Sequence, residues 1–82
     1  MSDEREDTAL AGDGALIRLM VNGESRTVTS GLTVRGLLES LGLAAGTIVV
    51  ERNLEILDRA KYDEVVLIEG DKLELVHFVG GG

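Results

Sequence analysis

The chain has 82 residues, enough for one small domain and too few to enclose a large internal active site. It holds no cysteine and one histidine, His77, which excludes disulfides, zinc–thiolate sites, a thiol nucleophile and any multi-histidine metal centre. Fifteen acidic against eight basic residues give a net charge of −7, which argues against nucleic acid as a partner.

The charge is uneven along the chain. Residues 1–13 hold five acids and one base, so more than half of the −7 sits there. Residues 1–14 are polar, acidic and without sustained periodicity, and are expected to form a disordered extension. They lack the apolar stretch of a secretory signal. The longest apolar runs are four residues, as in Val65 to Ile68, so no membrane-spanning segment is expected. These features predict a soluble cytoplasmic protein, with a folded domain over 15–79 and a flexible tail over 80–82.

Leu16 to Val21 is β-rich and reads as a strand. Asn22-Gly23 is a strong hairpin signal, because both residues accept positive φ in a type I′ turn. Ser25 to Thr29 returns as a second strand. Thr33 is a candidate N-cap for VRGLLESLG, where Val34, Leu37, Leu38 and Leu41 form a helical stripe. Gly42 stands where a C′ glycine stops a helix. Gly36 inside the helix costs roughly 1 kcal/mol against alanine unless close packing needs it. Thr47 to Glu51 reads as a third strand, and Arg52-Asn53 as a turn. Glu55 to Leu57 pairs briefly, Asp58 to Asp63 makes a short helical turn, and Leu73 to Val79 is the last strand. Val65 to Ile68 is apolar but is stopped by Glu69-Gly70-Asp71.

This order predicts an α+β fold, a mixed sheet of four to five strands packed on one main helix. That is the order of a β-grasp, ubiquitin-like domain. Side chains alternate along strands. Ile17, Leu19 and Val21 therefore oppose Leu16, Arg18 and Met20, and Leu73, Leu75, His77 and Val79 oppose Glu74, Val76 and Phe78. The charges of Arg18 and Glu74 mark the outer face. Met20, Val76 and Phe78, joined by Val49, are then solvent-facing and suggest a protein-binding patch. Scattered exposed apolar residues are the plain alternative.

No constellation for catalysis is present. His77 stands alone, and no glycine-rich loop precedes a helix with a lysine. The remaining candidate is the ending Val79-Gly80-Gly81-Gly82. Three glycines can thread a narrow channel, and extended they reach about 10 Å. A terminal carboxylate on Gly82 is ionised at neutral pH, its reference pKa being about 3.5. Attack of that carboxylate on the α-phosphate of ATP would give an acyl-adenylate, which a sulfur or nitrogen nucleophile could open. A frayed end is the plain alternative.

Over about residues 15–82 the chain resembles the ThiS family of sulfur carriers of thiamin (thiazole) biosynthesis. The resemblance rests on the VNG turn, VRGLLESLGL, VVERNLEIL with DRAKYDEVVL, and above all IEGDKLELVHFVGGG. The family's usual proline near Leu57 or Asp58 is absent. The resemblance implies a β-grasp fold and a protein that is itself no enzyme and binds no cofactor. It implies that a ThiF-type adenylyltransferase activates Gly82 with ATP and Mg²⁺. It implies further that a cysteine desulfurase supplies sulfur and that a ThiG-type thiazole synthase receives it. Gly81 and Gly82 match the reactive pair, and Phe78, Val79 and Gly80 match its docking base. A molybdopterin-synthase small subunit or a ubiquitin-like modifier shares the fold and the Gly-Gly end. A pure β-grasp interaction module is the alternative from another class. A monomer is expected when no partner is bound.

Overall fold

The computed structural model describes residues 14–77. The acidic extension over 1–13 and the ending Phe78, Val79, Gly80, Gly81 and Gly82 lie outside the described residues. The elements are β1 (Leu16–Val21), β2 (Glu24–Thr29), α1 (Val34–Ser40), β3 (Ile48–Arg52), β4 (Glu55–Ile56) and β5 (Lys72–His77). Single 3-10 turns occupy Ala45–Thr47 and Arg59–Lys61. The sheet order is β2-β1-β5-β3-β4. The last strand of the sequence is thus the central strand of the sheet. It runs parallel to β1 and antiparallel to β3.

The β1–β2 hairpin closes at Asn22 (φ 51°) and Gly23 (φ 84°), with Val21 opposite Glu24. Both turn residues have positive φ, as a two-residue type I′ loop requires. The second hairpin lies one residue later than its sequence reading. Arg52 pairs with Glu55, so the turn residues are Asn53 (φ 51°) and Leu54 (φ 74°). A leucine with left-handed backbone carries no turn signal.

Helix α1 begins at Thr33, whose hydroxyl accepts from the Gly36 amide at 3.0 Å. Such a cap is worth about 1 kcal/mol. It ends in a Schellman motif. The Leu43 amide donates to the Leu38 carbonyl at 2.9 Å and the Gly42 amide to the Glu39 carbonyl at 3.0 Å. Gly42 takes the left-handed position with φ 76°. Gly36 stays small for packing reasons, because a Cβ there would lie 2.7 Å from Leu32 Cδ1.

Val34, Leu37 and Leu38 of the helix meet Leu19, Val21, Ile48, Val50 and Leu73 of the sheet in one buried cluster, with Tyr62 and Leu67 closing it. Leu41, Leu32, Leu57 and Leu75 pack at its margin. The core is aliphatic apart from Tyr62. Its hydroxyl donates to the Ile48 carbonyl at 2.8 Å and accepts from the Val50 amide at 3.1 Å, satisfying two backbone groups of β3. Val65 to Ile68 forms no strand. It makes a single β-bridge, Val66 to Thr33, and bonds through the Val65 and Ile68 amides to Lys61 and Asp71; Leu67 is buried while Val66 and Ile68 are exposed.

Asp71 is the one buried charged residue among those described, 3% exposed. One carboxylate oxygen accepts from Arg52 Nε at 3.0 Å and from the Ile68 amide at 2.9 Å; the other accepts from Asn53 Nδ2 at 3.0 Å. Burial pushes the Asp71 carboxyl up, but the bonds from Ile68, Asn53 and Arg52 outweigh it and hold it below its ordinary value. The folded form therefore resists protonation better than the unfolded chain. That stability is present above about pH 4 and is lost as pH falls through the folded value. Asp71→Ala, which leaves Arg52 and two N–H groups unpaired, should cost about 2 kcal/mol in urea unfolding at neutral pH. The gap in unfolding midpoint between wild type and Asp71→Asn should narrow below about pH 4; a constant gap would refute the clamp.

Candidate functional site

Strand β5 leads to the glycine ending, so what fixes β5 fixes the base from which that ending departs. The β1–β5 ladder is short, pairing only Met20 with Lys72 and Val21 with Leu73. Beyond it the chain turns away into the hairpin, and the side chain of Asn22 takes over. Its Oδ1 accepts from the Leu75 amide at 2.7 Å, and its Nδ2 lies 3.4 Å from the Leu75 carbonyl. The Asn22 amide itself donates to the Leu73 carbonyl at 2.9 Å. A side-chain amide here stands in for one more residue of β1. Asn53 does the same at the start of β5. Its Oδ1 accepts from the Lys72 amide at 2.9 Å and its backbone amide donates to the Lys72 carbonyl at 2.8 Å. On the other side β3 holds β5 through to its end, with Ile48 opposite His77.

The outer face of the sheet carries the sequence-derived patch residues that are described. Val49 lies opposite Val76 on β3 and β5, and Val76 is 59% exposed while Val49 is half-buried. Ile56 on β4, which sequence reading left out, lies opposite Glu51 and is 72% exposed. Val49, Val76 and Ile56, with Glu51 and Glu74, line a surface groove of about 420 Å³. Met20 is on the same face but does not join them. The parallel register places it beside Lys72, four residues from Val76 along β5, a separation of about 13 Å. The continuous patch read from alternation is therefore two spots with charged residues between them. Alternation gives the face of a residue, and only the register gives its row.

Phe78, Val79, Gly80, Gly81 and Gly82 lie outside the described residues. His77 is exposed at the end of β5 and borders a second groove with Glu24 and Arg26. Among the described residues no group of three or more His, Asp or Glu side chains could hold a metal ion. None of their helices is long and apolar enough to cross a membrane. The residues that sequence reading missed are Asn22 and Asn53 as side-chain anchors and Asp71 as a buried clamp. Each occupied a turn where its residue type already had a local explanation.

A five-stranded mixed sheet on one helix, with the C-terminal strand at its centre, defines a β-grasp protein of ubiquitin-like type. The ThiS family profile matches residues 19–82, and the chain belongs to that family. The crystal structure of a thiamine biosynthesis protein (ThiS) from Geobacter metallireducens superposes with a TM-score of 0.70 at 39% identity, covering 80% of this chain and all of that one. The sulfur carrier protein ThiS of Bacillus subtilis is 48% identical over 50 residues, 61% of this chain and 76% of its own length. A thiazole synthase of Paramagnetospirillum magneticum is 46% identical over 66 residues, 80% of this chain. This chain spans only 20% of that relative's length.

Two substitutions probe the site's construction. Asn22→Gly keeps a turn that accepts positive φ but removes both side-chain contacts to Leu75. It should cost about 1 kcal/mol and speed hydrogen exchange of the Leu75 amide, leaving exchange in α1 unchanged relative to global stability. Val76→Asp, on an exposed position, should change unfolding stability by less than about 0.5 kcal/mol. A larger loss would mean that Val76 is part of the core.

Proposed function

We propose that this protein carries sulfur for thiazole formation in thiamin biosynthesis, as a thiocarboxylate on Gly82. The observation that carries this reading is the family match, which spans residues 19–82, from within β1 to the three glycines. The fold supports it. The strand before the glycines is the centre of the sheet and is held by β1, β3, Asn22 and Asn53, so the ending departs from a fixed base.

In this cycle a ThiF-type adenylyltransferase binds ATP and Mg²⁺. A Gly82 carboxylate oxygen attacks the α-phosphorus and pyrophosphate leaves, giving an acyl-adenylate. A persulfide supplied through a cysteine desulfurase attacks the acyl carbon and AMP leaves; a second thiol then cleaves the S–S bond of the acyl disulfide, forming a disulfide with the persulfide's parent cysteine and releasing the thiocarboxylate. A ThiG-type thiazole synthase accepts the sulfur. The carrier contributes the carboxylate, a narrow approach free of side chains at Gly80, Gly81 and Gly82, and a docking face built on Val49 and Val76, with Phe78 and Val79 at the root of the tail. Met20 is assigned to docking as a separate contact. The carrier needs no nucleotide, metal or catalytic side chain of its own, and it acts in the cytoplasm as a monomer between partners. The likeness to thiazole synthase favours this pathway over molybdopterin synthesis or protein modification.

Incubation with a ThiF-type enzyme, MgATP and sulfide should raise the chain's mass by the difference between sulfur and oxygen. Mass spectrometry reads this directly. A chain lacking Gly82 should stay unchanged in mass and keep its circular dichroism spectrum. No adduct on the full chain with several activating enzymes would sink the carrier reading, and an adduct on the shortened chain would sink the assignment to Gly82.

A further inference from the structure

The groove on the outer face pairs charge as well as apolar surface. Val49 faces Val76 across β3 and β5, and in the next row Glu51 faces Glu74. Residues directly opposite on one face have Cβ atoms about 5 Å apart, and like charges so placed weaken a sheet. Among the described residues the ion pairs are Arg35 with Glu39 and Asp63, Arg52 with Asp71, and Lys61 with Glu64. None of them neutralises Glu51 or Glu74. The groove thus joins an aliphatic floor, Val49, Val76 and Ile56, to two adjacent carboxylates without a cation.

A partner that covers the floor also displaces water from around those carboxylates, which strengthens their attraction for a cation. A planar guanidinium can bridge two carboxylates while its aliphatic stem lies on the valines; an ammonium is a point charge and bridges less well. The groove lies near the ending in the chain. Gly82 follows Val76 by six residues, at most about 20 Å of extended chain, so an enzyme that holds the ending is within reach of this face. In relatives such as the Paramagnetospirillum magneticum protein, a segment like this chain makes up one fifth of a thiazole synthase, so domain and synthase are there one chain.

We propose that the groove docks an arginine of the thiazole synthase, its guanidinium between Glu51 and Glu74 and its stem across Val49 and Val76. This rests on the carrier reading and names the contact that selects the acceptor.

The test measures binding of the full chain to a thiazole synthase supplied as a separate chain, by titration calorimetry. Glu51→Gln and Glu74→Gln should each weaken binding about tenfold, and the double variant by less than the product, because one cation is shared. Raising KCl from about 50 to about 500 mM should weaken the wild type and leave the double variant nearly unchanged. The melting temperature of the double variant should equal or exceed that of the wild type, since the repulsion is relieved. A double variant that binds within about twofold of wild type overturns the proposal, as does a wild type that does not bind the synthase. So does a wild-type dimer in sedimentation that the double variant loses, which would make the occupant a second copy. Weakened binding to a ThiF-type enzyme with unchanged binding to the synthase overturns the choice of partner. Thiocarboxylate formation on the double variant separates the two readings. A normal mass gain with unchanged synthase affinity removes the arginine contact and leaves the carrier intact, whereas no mass gain on the wild type removes the carrier reading itself.

Discussion

The carboxylate of Asp71 is the contact on which the sheet's centre depends. β5 is the last strand in sequence and must insert between β1 and β3, which are laid down earlier. Insertion of a strand with only two residue pairs to one neighbour gives few ladder bonds on that side. Three polar side chains make up the difference. Asp71 joins the 68–71 turn to Arg52 and Asn53 at the end of β3, Asn53 bonds the first amide of β5, and Asn22 bonds Leu75 beyond the end of the β1 ladder. Burying a carboxylate is unfavourable unless hydrogen bonds and a counter-charge compensate, and here three donors, one of them the Arg52 guanidinium, bond a side chain that is 3% exposed. The clamp acts on register more than on net stability. A one-residue slip of β5 would turn Leu73 outward and Glu74 into the core.

The apolar part of the fold is simpler. One helical stripe and alternate residues of three strands fill a core that, among the described residues, has Tyr62 as its only aromatic member. Aliphatic side chains of similar volume pack in many near-equivalent ways, so uniqueness has to come from elsewhere. The Tyr62 hydroxyl bonded to both Ile48 and Val50, the Thr33 cap and the Schellman end supply directional constraints at the core's margins.

Much of this was legible in the sequence for identifiable reasons. Asn22-Gly23, Thr33 and Gly42 are residues whose conformations or hydrogen bonds have few alternatives, and the elements they bound appear where the pattern puts them. Val34, Leu37, Leu38 and Leu41 face the core because helical spacing leaves them no other side. The turn at Asn53-Leu54 was displaced by one residue because leucine in a left-handed position has no signature. Asp71, Asn53 and the side chain of Asn22 were illegible for a different reason. Apart from the local bond of Asp71 to Ile68, their partners are 18 to 53 residues away, and a turn already accounts for each of them locally. The patch was half legible. Alternation put Met20 and Val76 on one face, but the parallel offset that parts them is a tertiary quantity. The ending that carries the family likeness was found by its composition, since no packing argument applies to three glycines.

The outer face shows where folding and function pull apart. On the core side of β3 and β5 the apolar residues Ile48, Val50 and Leu73 are all but inaccessible, and only the strand ends at Arg52 and His77 are polar. On the other side, two rows of the same strands hold the half-buried Val49 facing the exposed Val76, and Glu51 facing Glu74. Threonine pairs or opposite charges would stabilise those rows by a few tenths of a kcal/mol to about 1 kcal/mol each. The sequence satisfies local rules nearly everywhere and departs from them where Glu51 faces Glu74, the kind of departure expected where a surface serves something other than folding. The small size sharpens the point. In a chain of 82 residues much of the structure is surface, and strand β5 leads from that surface to the glycine terminus. The one face that folding leaves unsatisfied is the face on the strand that leads to that terminus.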